Sequence, residues 1–157
     1  VSEGLKRLRI GDHRIQTIAE IRGVRYIDDS KATNPHAAEA SLAAFEHVVW
    51  IAGGQAKGTT FDDLVTRVGQ NLRAAVVLGV DREVIADALA RHAPEVPVKV
   101  IDSMDHGAMQ QAVEWAATQA QPDDVVLLAP GCASKDMYTD YAARGDAFAA
   151  AAKALTG

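Results

Sequence analysis

The residues of this chain best suited to chemistry lie in one run, Asp28-Asp29-Ser30-Lys31-Ala32-Thr33-Asn34-Pro35. Two carboxylates, an ammonium and two hydroxyls stand between an apolar stretch containing Val24, Tyr26 and Ile27 and an alanine-rich segment. Such groups can hold an anionic or polyhydroxylated ligand through charge-assisted hydrogen bonds. The same run also reads as a solvated loop ending in a helix start, because Asn34 is a good N-cap and Pro35 suits the first helical position. Comparable groups recur downstream: Gly53, Gly54, Gln55, Lys57, Gly58 and Thr59; then Gly79, Asp81 and Arg82; then Asp102 and Ser103; then Pro130, Gly131, Cys132, Ser134 and Lys135. Three lysines, several hydroxyls and paired glycines need a scaffold that gathers them.

The hydrophobic pattern supplies one. Residues 13–20 and 23–27 predict a β-hairpin with its turn near Ile21, Arg22 and Gly23. Short Val/Leu/Ile runs at 48–52, 74–78, 96–101 and 125–129 predict buried strands. Between them, helical periodicity is predicted over 35–45, 61–72, 83–92 and 106–119, and a helical tail from Ser134 with a break at Gly145. Alternation of this kind implies a mostly parallel sheet covered on both faces. The expected architecture is a Rossmann-like three-layer α/β domain: about six strands, one of them antiparallel at the N-terminus. In such sheets ligands bind outside the carboxyl ends of the strands. Every segment named above follows a predicted strand, so the three lysines fall on one edge. Glycines there let backbone approach a ligand, and helix N-termini add a positive dipole end. That edge suits a carboxylate or a phosphate.

Composition bounds the class. The 157 residues read as one domain after a short arm at 1–12, which is expected to be a linker or the end of a preceding domain. A chain whose first residue is Val1 reads as a piece of a longer protein. Apolar residues make up 48% and charged residues 24%, and the net charge of −5 argues against a nucleic-acid surface. No apolar run approaches the ~20 residues of a membrane span, so no membrane insertion is expected. The single cysteine, Cys132, cannot form an internal disulfide, which fits a cytoplasmic protein.

Other candidates are weaker. The segment Gly53-Gly54-Gln55-Ala56-Lys57-Gly58-Thr59 lacks the spacing of a Walker A loop. The five histidines show no metal-ligand spacing, and no metal site is expected. Cys132 reads as a small packed residue rather than a nucleophile. Trp50 and Trp115 read as core or interface residues.

With these motifs placed, the chain resembles the C-terminal domain of the Mur ligases of peptidoglycan synthesis. His13-Arg14 precedes the first strand. The run from Asp28 to Asn34 resembles the Asn/Asp-Asp-Ser-Lys-Ala-Thr-Asn segment of the D-glutamate-adding branch. Gly53-Gly54-Gln55-Ala56-Lys57 matches that branch's Gly-Gly-x-x-Lys loop. Pro130-Gly131-Cys132-Ala133-Ser134-Lys135-Asp136 and Arg144-Gly145-Asp146-Ala147-Phe148 resemble its Ser-Pro-Ala-Cys-Ala-Ser-x-Asp and Arg-Gly-x-x-Phe segments. There are departures. Asp28 stands where Asn is common, Gly131 where Ala is common, Lys135 where an apolar residue is common, and Tyr141 at a position often Phe.

The resemblance implies that residues 13–157 are the C-terminal domain of an ATP-dependent amide ligase whose UDP-binding and central ATPase domains lie outside this chain. That ligase activates UDP-N-acetylmuramoyl-L-alanine as an acyl phosphate, and the amine of D-glutamate attacks it. Lys31, Thr33, Lys57, Ser134 and Tyr141 would hold D-glutamate. Arg14 and Asp29 would reach the nucleotide, Arg14 toward phosphate and Asp29 toward ribose. No catalytic residue is expected in this domain. ATP and Mg2+ serve the whole enzyme, with the metal ligands mainly in the other domains, so the domain alone is expected to be inactive. Two other readings stand beside this one: a stand-alone nucleotide- or anion-binding module, and a fragment of a sister amide ligase with another amino-acid substrate.

Overall fold

The computed structural model describes residues 14–105 and 107–155. The expected linker at 1–12, and positions 13 and 106 where one strand and one helix were expected to begin, lie outside the described residues. The first described elements form the anticipated hairpin, β1 (Gln16–Ile21) and β2 (Val24–Asp28). Arg22 and Gly23 connect them with φ of 56° and 80°. Two positive φ values in a two-residue loop are the backbone of a type I′ turn, whose twist matches that of the strands it joins.

Asn34 starts α1 (Pro35–Ala43): its side chain accepts a hydrogen bond from the Ala37 N–H at 2.9 Å, and proline occupies the first turn. Strand β3 (Val48–Gly53) is buried at every position. Helix α2 (Asp62–Val68) follows, then a 3-10 turn (Gly69–Asn71) and β4 (Leu72–Leu78). The expected helix over 61–72 is therefore shorter than its periodicity suggested. Gly69 is a poor helix former, and the Asn71 amide donates to the Leu42 and Phe45 carbonyls at the end of α1. Leu72 is left to open the strand. The remaining elements are α3 (Arg82–His92), β5 (Val98–Val100), α4 (Gly107–Gln119), β6 (Val125–Leu128) and α5 (Tyr141–Lys153).

The tail differs from expectation at both ends of its first half. Residues 134–139 are not helical; the Ser134 carbonyl accepts from the Met137 and Tyr138 N–H groups in a turn. Asp140 then caps α5 by accepting from the Ala143 N–H at 2.8 Å. Gly145 does not break the helix but is buried within it. The usual cost of about 1 kcal/mol for a helical glycine is offset by packing along the stripe of Arg144, Phe148 and Ala152.

The six strands form one sheet in the order β1-β2-β6-β3-β4-β5, parallel except for β1. Alternation along β3 sends Trp50 and Ala52 toward α1, α2 and α3, and Val49 and Ile51 toward α4 and α5. Trp50 is fully buried and donates its indole N–H to the Ala129 carbonyl at 2.7 Å, so it is a core residue. The result is three layers with two apolar cores. The carboxyl ends of β2, β3, β4, β5 and β6 point to one edge, where the polar loops emerge. No helix among the described residues is long and apolar enough to cross a membrane.

Candidate ligand-binding site at the carboxyl edge of the sheet

Close backbone approach builds the site. Gly53, at the end of β3, has φ of 127°, and a Cβ there would lie 1.8 Å from the Leu78 carbonyl oxygen. Only glycine lets the loop after β3 cross the end of β4 at this distance. That loop is stapled to the one after β6: the Gln55 and Ala133 N–H groups each donate to the other residue's carbonyl at 2.9 and 3.0 Å, and the Gly53 N–H donates to Pro130. Two aspartates tie in the loop after β4. Asp81 accepts from the Ala56 N–H and Asp136 from the Val80 N–H. The Gly131 N–H, donating to the Ala32 carbonyl at 2.8 Å, brings in the loop after β2, so these loops form one hydrogen-bonded unit.

The candidate residues distribute on that unit as follows. Lys31 is exposed and Thr33 half-buried, both in the loop after β2. The Lys31 Nζ lies 5.9 Å from the centre of the Tyr141 ring, a cation–π distance. Ser134 is buried in the loop after β6, next to Ala133 of the staple. Lys57 is exposed, with φ of 54°, on the loop whose Gln55 forms the other half of that staple. Arg14 is exposed just before β1, close enough to Asp29 to stabilise its negative charge. The fold therefore gathers all seven at one edge.

Asp29 sits more deeply than a simple ligand contact requires. It is 4% exposed, and its carboxylate accepts from the Ser41 hydroxyl of α1. Burial pushes its pKa up from 3.8 and the neighbouring Asp28 adds to this, against the opposing pull of Ser41, the Ile15 backbone and Arg14. Asp28 is itself turned inward to accept from the Ser30 N–H at 2.9 Å.

Sequence reasoning assigned no role to Arg144, which the structure places at the junction of the site loops. It is 3% exposed. Its Nε donates to Ser30 Oγ at 2.9 Å, its Nη2 to the Ser30 carbonyl at 2.8 Å, and its Nη1 to the Cys132 carbonyl at 3.0 Å. Ser30 Oγ in turn donates to the Tyr141 carbonyl at 2.6 Å. Burial lowers the Arg144 pKa to about 10, which leaves it a cation at neutral pH. A signal existed in the sequence: Arg144 falls four residues before Phe148 on the apolar stripe of an alanine-rich helix, an odd place for a charge.

Cys132 is 1% exposed, and burial pushes its thiol up to about 12. That supports a packed residue rather than a nucleophile. Among the described residues no group of three or more His, Cys, Asp or Glu side chains could hold a metal ion.

Comparison with known proteins identifies the family. The family model described as "Mur ligase, glutamate ligase domain" matches residues 13–132, well over half of the chain. The chain is 59% identical to the UDP-N-acetylmuramoylalanine--D-glutamate ligase of Streptomyces coelicolor, over 99% of this chain and 33% of that protein. It is 56% identical to the ligase of the same name from Frankia casuarinae, over 100% of this chain and 32% of that protein. It thus spans about a third of the length of the curated relatives it matches. Among solved structures, a domain described as from a UDP-N-acetylmuramate:L-alanyl-gamma-D-glutamyl-medo-diaminopimelate ligase of Haemophilus ducreyi superimposes with a TM-score of 0.55 at 14% identity, covering 88% of this chain and 99% of that one. The MurF ligase of Thermotoga maritima, solved with ADP, gives 0.54 at 19% identity, covering 93% of this chain and 31% of that one. These two likenesses bear on the fold alone. The family model, matching well over half of the chain, shows that this chain belongs to the Mur ligase family, as its glutamate ligase domain.

Proposed function

We propose that this chain is the domain that presents D-glutamate in an ATP-dependent ligase joining it to UDP-N-acetylmuramoyl-L-alanine in the cytoplasm. The observation that carries the proposal is the convergence of Lys31, Thr33, Ser134 and Tyr141 on loops tied together at one edge, with Lys57 on the adjoining loop. D-glutamate offers two carboxylates. Two lysine ammonium groups and hydroxyl donors on the same edge suit two carboxylates through charge-assisted bonds.

The amide-forming step has a simple balance. The substrate alanyl carboxylate is first converted to an acyl phosphate with release of ADP. The glutamate amine then attacks the acyl carbon, the C–O bond to phosphate breaks, and the amine gives up a proton. This chain's contribution is to hold the amine in position, and correct orientation of two reactants is worth many orders of magnitude in rate. Arg14 and Asp29 suit a nucleotide phosphate and a ribose hydroxyl respectively, and they stand together beside β1 and β2. The Mg2+ of such a reaction would depend on ligands contributed by the remainder of the ligase. Ile15, Val80 and Met104 are 45%, 54% and 41% exposed, and all three flank this same edge, which suits a surface that meets other domains.

The test is Lys31→Ala and Lys57→Ala in the full-length ligase. The expected result is a rise in the D-glutamate KM of about 10- to 100-fold, as for the loss of a charge-assisted bond worth about 1.5–3 kcal/mol, with the ATP KM changed far less. Unchanged D-glutamate kinetics in both variants would overturn the assignment.

A further inference from the structure

We infer that the Arg144–Ser30 network is a positioning element of the D-glutamate site, setting the relative orientation of three of its four carriers, all but the Lys57 loop, without touching the ligand. This rests on the proposed ligand set. Lys31 and Thr33 follow Ser30 directly, Ser134 lies two residues after Cys132, and Tyr141 opens α5. The planar guanidinium spans the first two carriers by donating to both oxygens of Ser30 and to the Cys132 carbonyl, while the Ser30 hydroxyl reaches the third at the Tyr141 carbonyl. One backbone bond, Gly131 N–H to the Ala32 carbonyl, joins the first two carriers as well. A single bond fixes a distance, whereas a rigid fork holding three oxygens also fixes orientation.

The network is costly unless it serves such a purpose. Arg144 is a buried cation whose hydrogen-bond partners are uncharged oxygens; Asp136 and Asp28 favour its charge, but burial outweighs them and lowers its pKa. The network also acts selectively. Asp29, the candidate nucleotide contact, is anchored independently: its N–H donates to the Leu128 carbonyl at 2.8 Å and its carboxylate accepts from Ser41. Loss of Arg144 or of the Ser30 hydroxyl should therefore disturb the glutamate carriers and leave the nucleotide side in place.

The test uses the full-length ligase with Arg144→Lys and Ser30→Ala, alongside Lys31→Ala. Lysine keeps the charge but cannot present three donors in one plane; alanine at 30 deletes both hydroxyl bonds and nothing else. The expected result for each of the two network variants is a rise of about tenfold in the D-glutamate KM, in line with the cost of a small misplacement of binding groups. The ATP KM should stay within about twofold, and Ser30→Thr, which restores a hydroxyl, should recover part of the loss where Ser30→Ala does not. If Lys31→Ala raises the D-glutamate KM but both network variants leave it unchanged, this inference fails and the ligand set stands. If the network variants raise the KM for D-glutamate and ATP alike, Arg144 is merely structural and the inference fails. If Lys31→Ala also leaves D-glutamate use intact, the ligand set itself is wrong. Should Arg144→Lys prove insoluble, Ser30→Ala decides the matter alone.

Discussion

Replacing Gly131 with alanine would bring the chain closer to the segment it resembles, yet the structure predicts that this destabilises it. Gly131 has φ of 69°, and a Cβ there would lie 2.7 Å from Cε2 and 3.1 Å from Cζ of Phe61. Phe61 is fully buried against Trp50, with ring centroids 6.4 Å apart, and cannot retreat without opening the core. Two penalties follow. An L-residue in the left-handed region costs about 1 kcal/mol relative to glycine, and forcing a methyl group into a packed core costs about 1–3 kcal/mol. Gly131→Ala should therefore lose about 2–4 kcal/mol. The steric part depends on the ring and the backbone part does not. In a Phe61→Leu background the offending ring carbons are absent, so Gly131→Ala should cost only about 1 kcal/mol there. Urea unfolding of the four chains of this cycle, with midpoints and slopes fitted together, measures the difference. Equal costs of Gly131→Ala in both backgrounds, or a cost below about 0.5 kcal/mol in the parent, would refute the reasoning that Phe61 occupies the space an alanine would need.

Three further outcomes follow from the buried titratable groups. Burial holds the Asp29 pKa above 3.8, so the folded state binds its proton more tightly than the unfolded chain, and stability is lost as pH rises through the folded value. Asp29→Asn should accordingly flatten that decline without destabilising the fold at pH 7, while raising the ATP KM of the ligase; a clear loss of stability at pH 7 would count against it. Asp124 behaves oppositely. Burial alone would raise its pKa, but the two bonds from Arg73, at 2.9 and 3.0 Å, and the Gln121 N–H hold it below 3.8. Its contribution is present above 3.8 and disappears as pH falls through the folded value. With Arg73 a third exposed, Asp124→Asn should cost about 1–3 kcal/mol at pH 7 and converge on the parent in strong acid, as followed by urea unfolding across pH. Cys132, its thiol pushed up to about 12, should resist iodoacetamide at pH 7.5 in the folded protein and react on addition of denaturant. Fast alkylation of the folded protein would show that the loop after β6 opens.

The architecture, and the edge where ligand groups collect, were legible in the pattern of the chain. Short uninterrupted apolar runs such as 48–52, alternating with helical segments, point to parallel strands buried on both faces, and the polar loops after parallel strands share an edge. Asn34-Pro35 announced a helix start because capping and a fixed φ are local properties. Local signals failed where distant partners decide. Gly145 reads as a breaker on propensity, but packing against the sheet and α4 carries α5 through it. Leu72 continues the apolar periodicity of α2, but Asn71 is held by the end of α1 and the strand begins there. Only the tertiary structure could show that Arg144 clasps Ser30, 114 residues away, because a guanidinium's partners are chosen by proximity in space and leave no trace in spacing along the chain. The same holds for Asp29. Its residue type marked it as a ligand group, whereas its burial against Ser41, and the raised pKa that results, depend on how α1 packs beside the sheet.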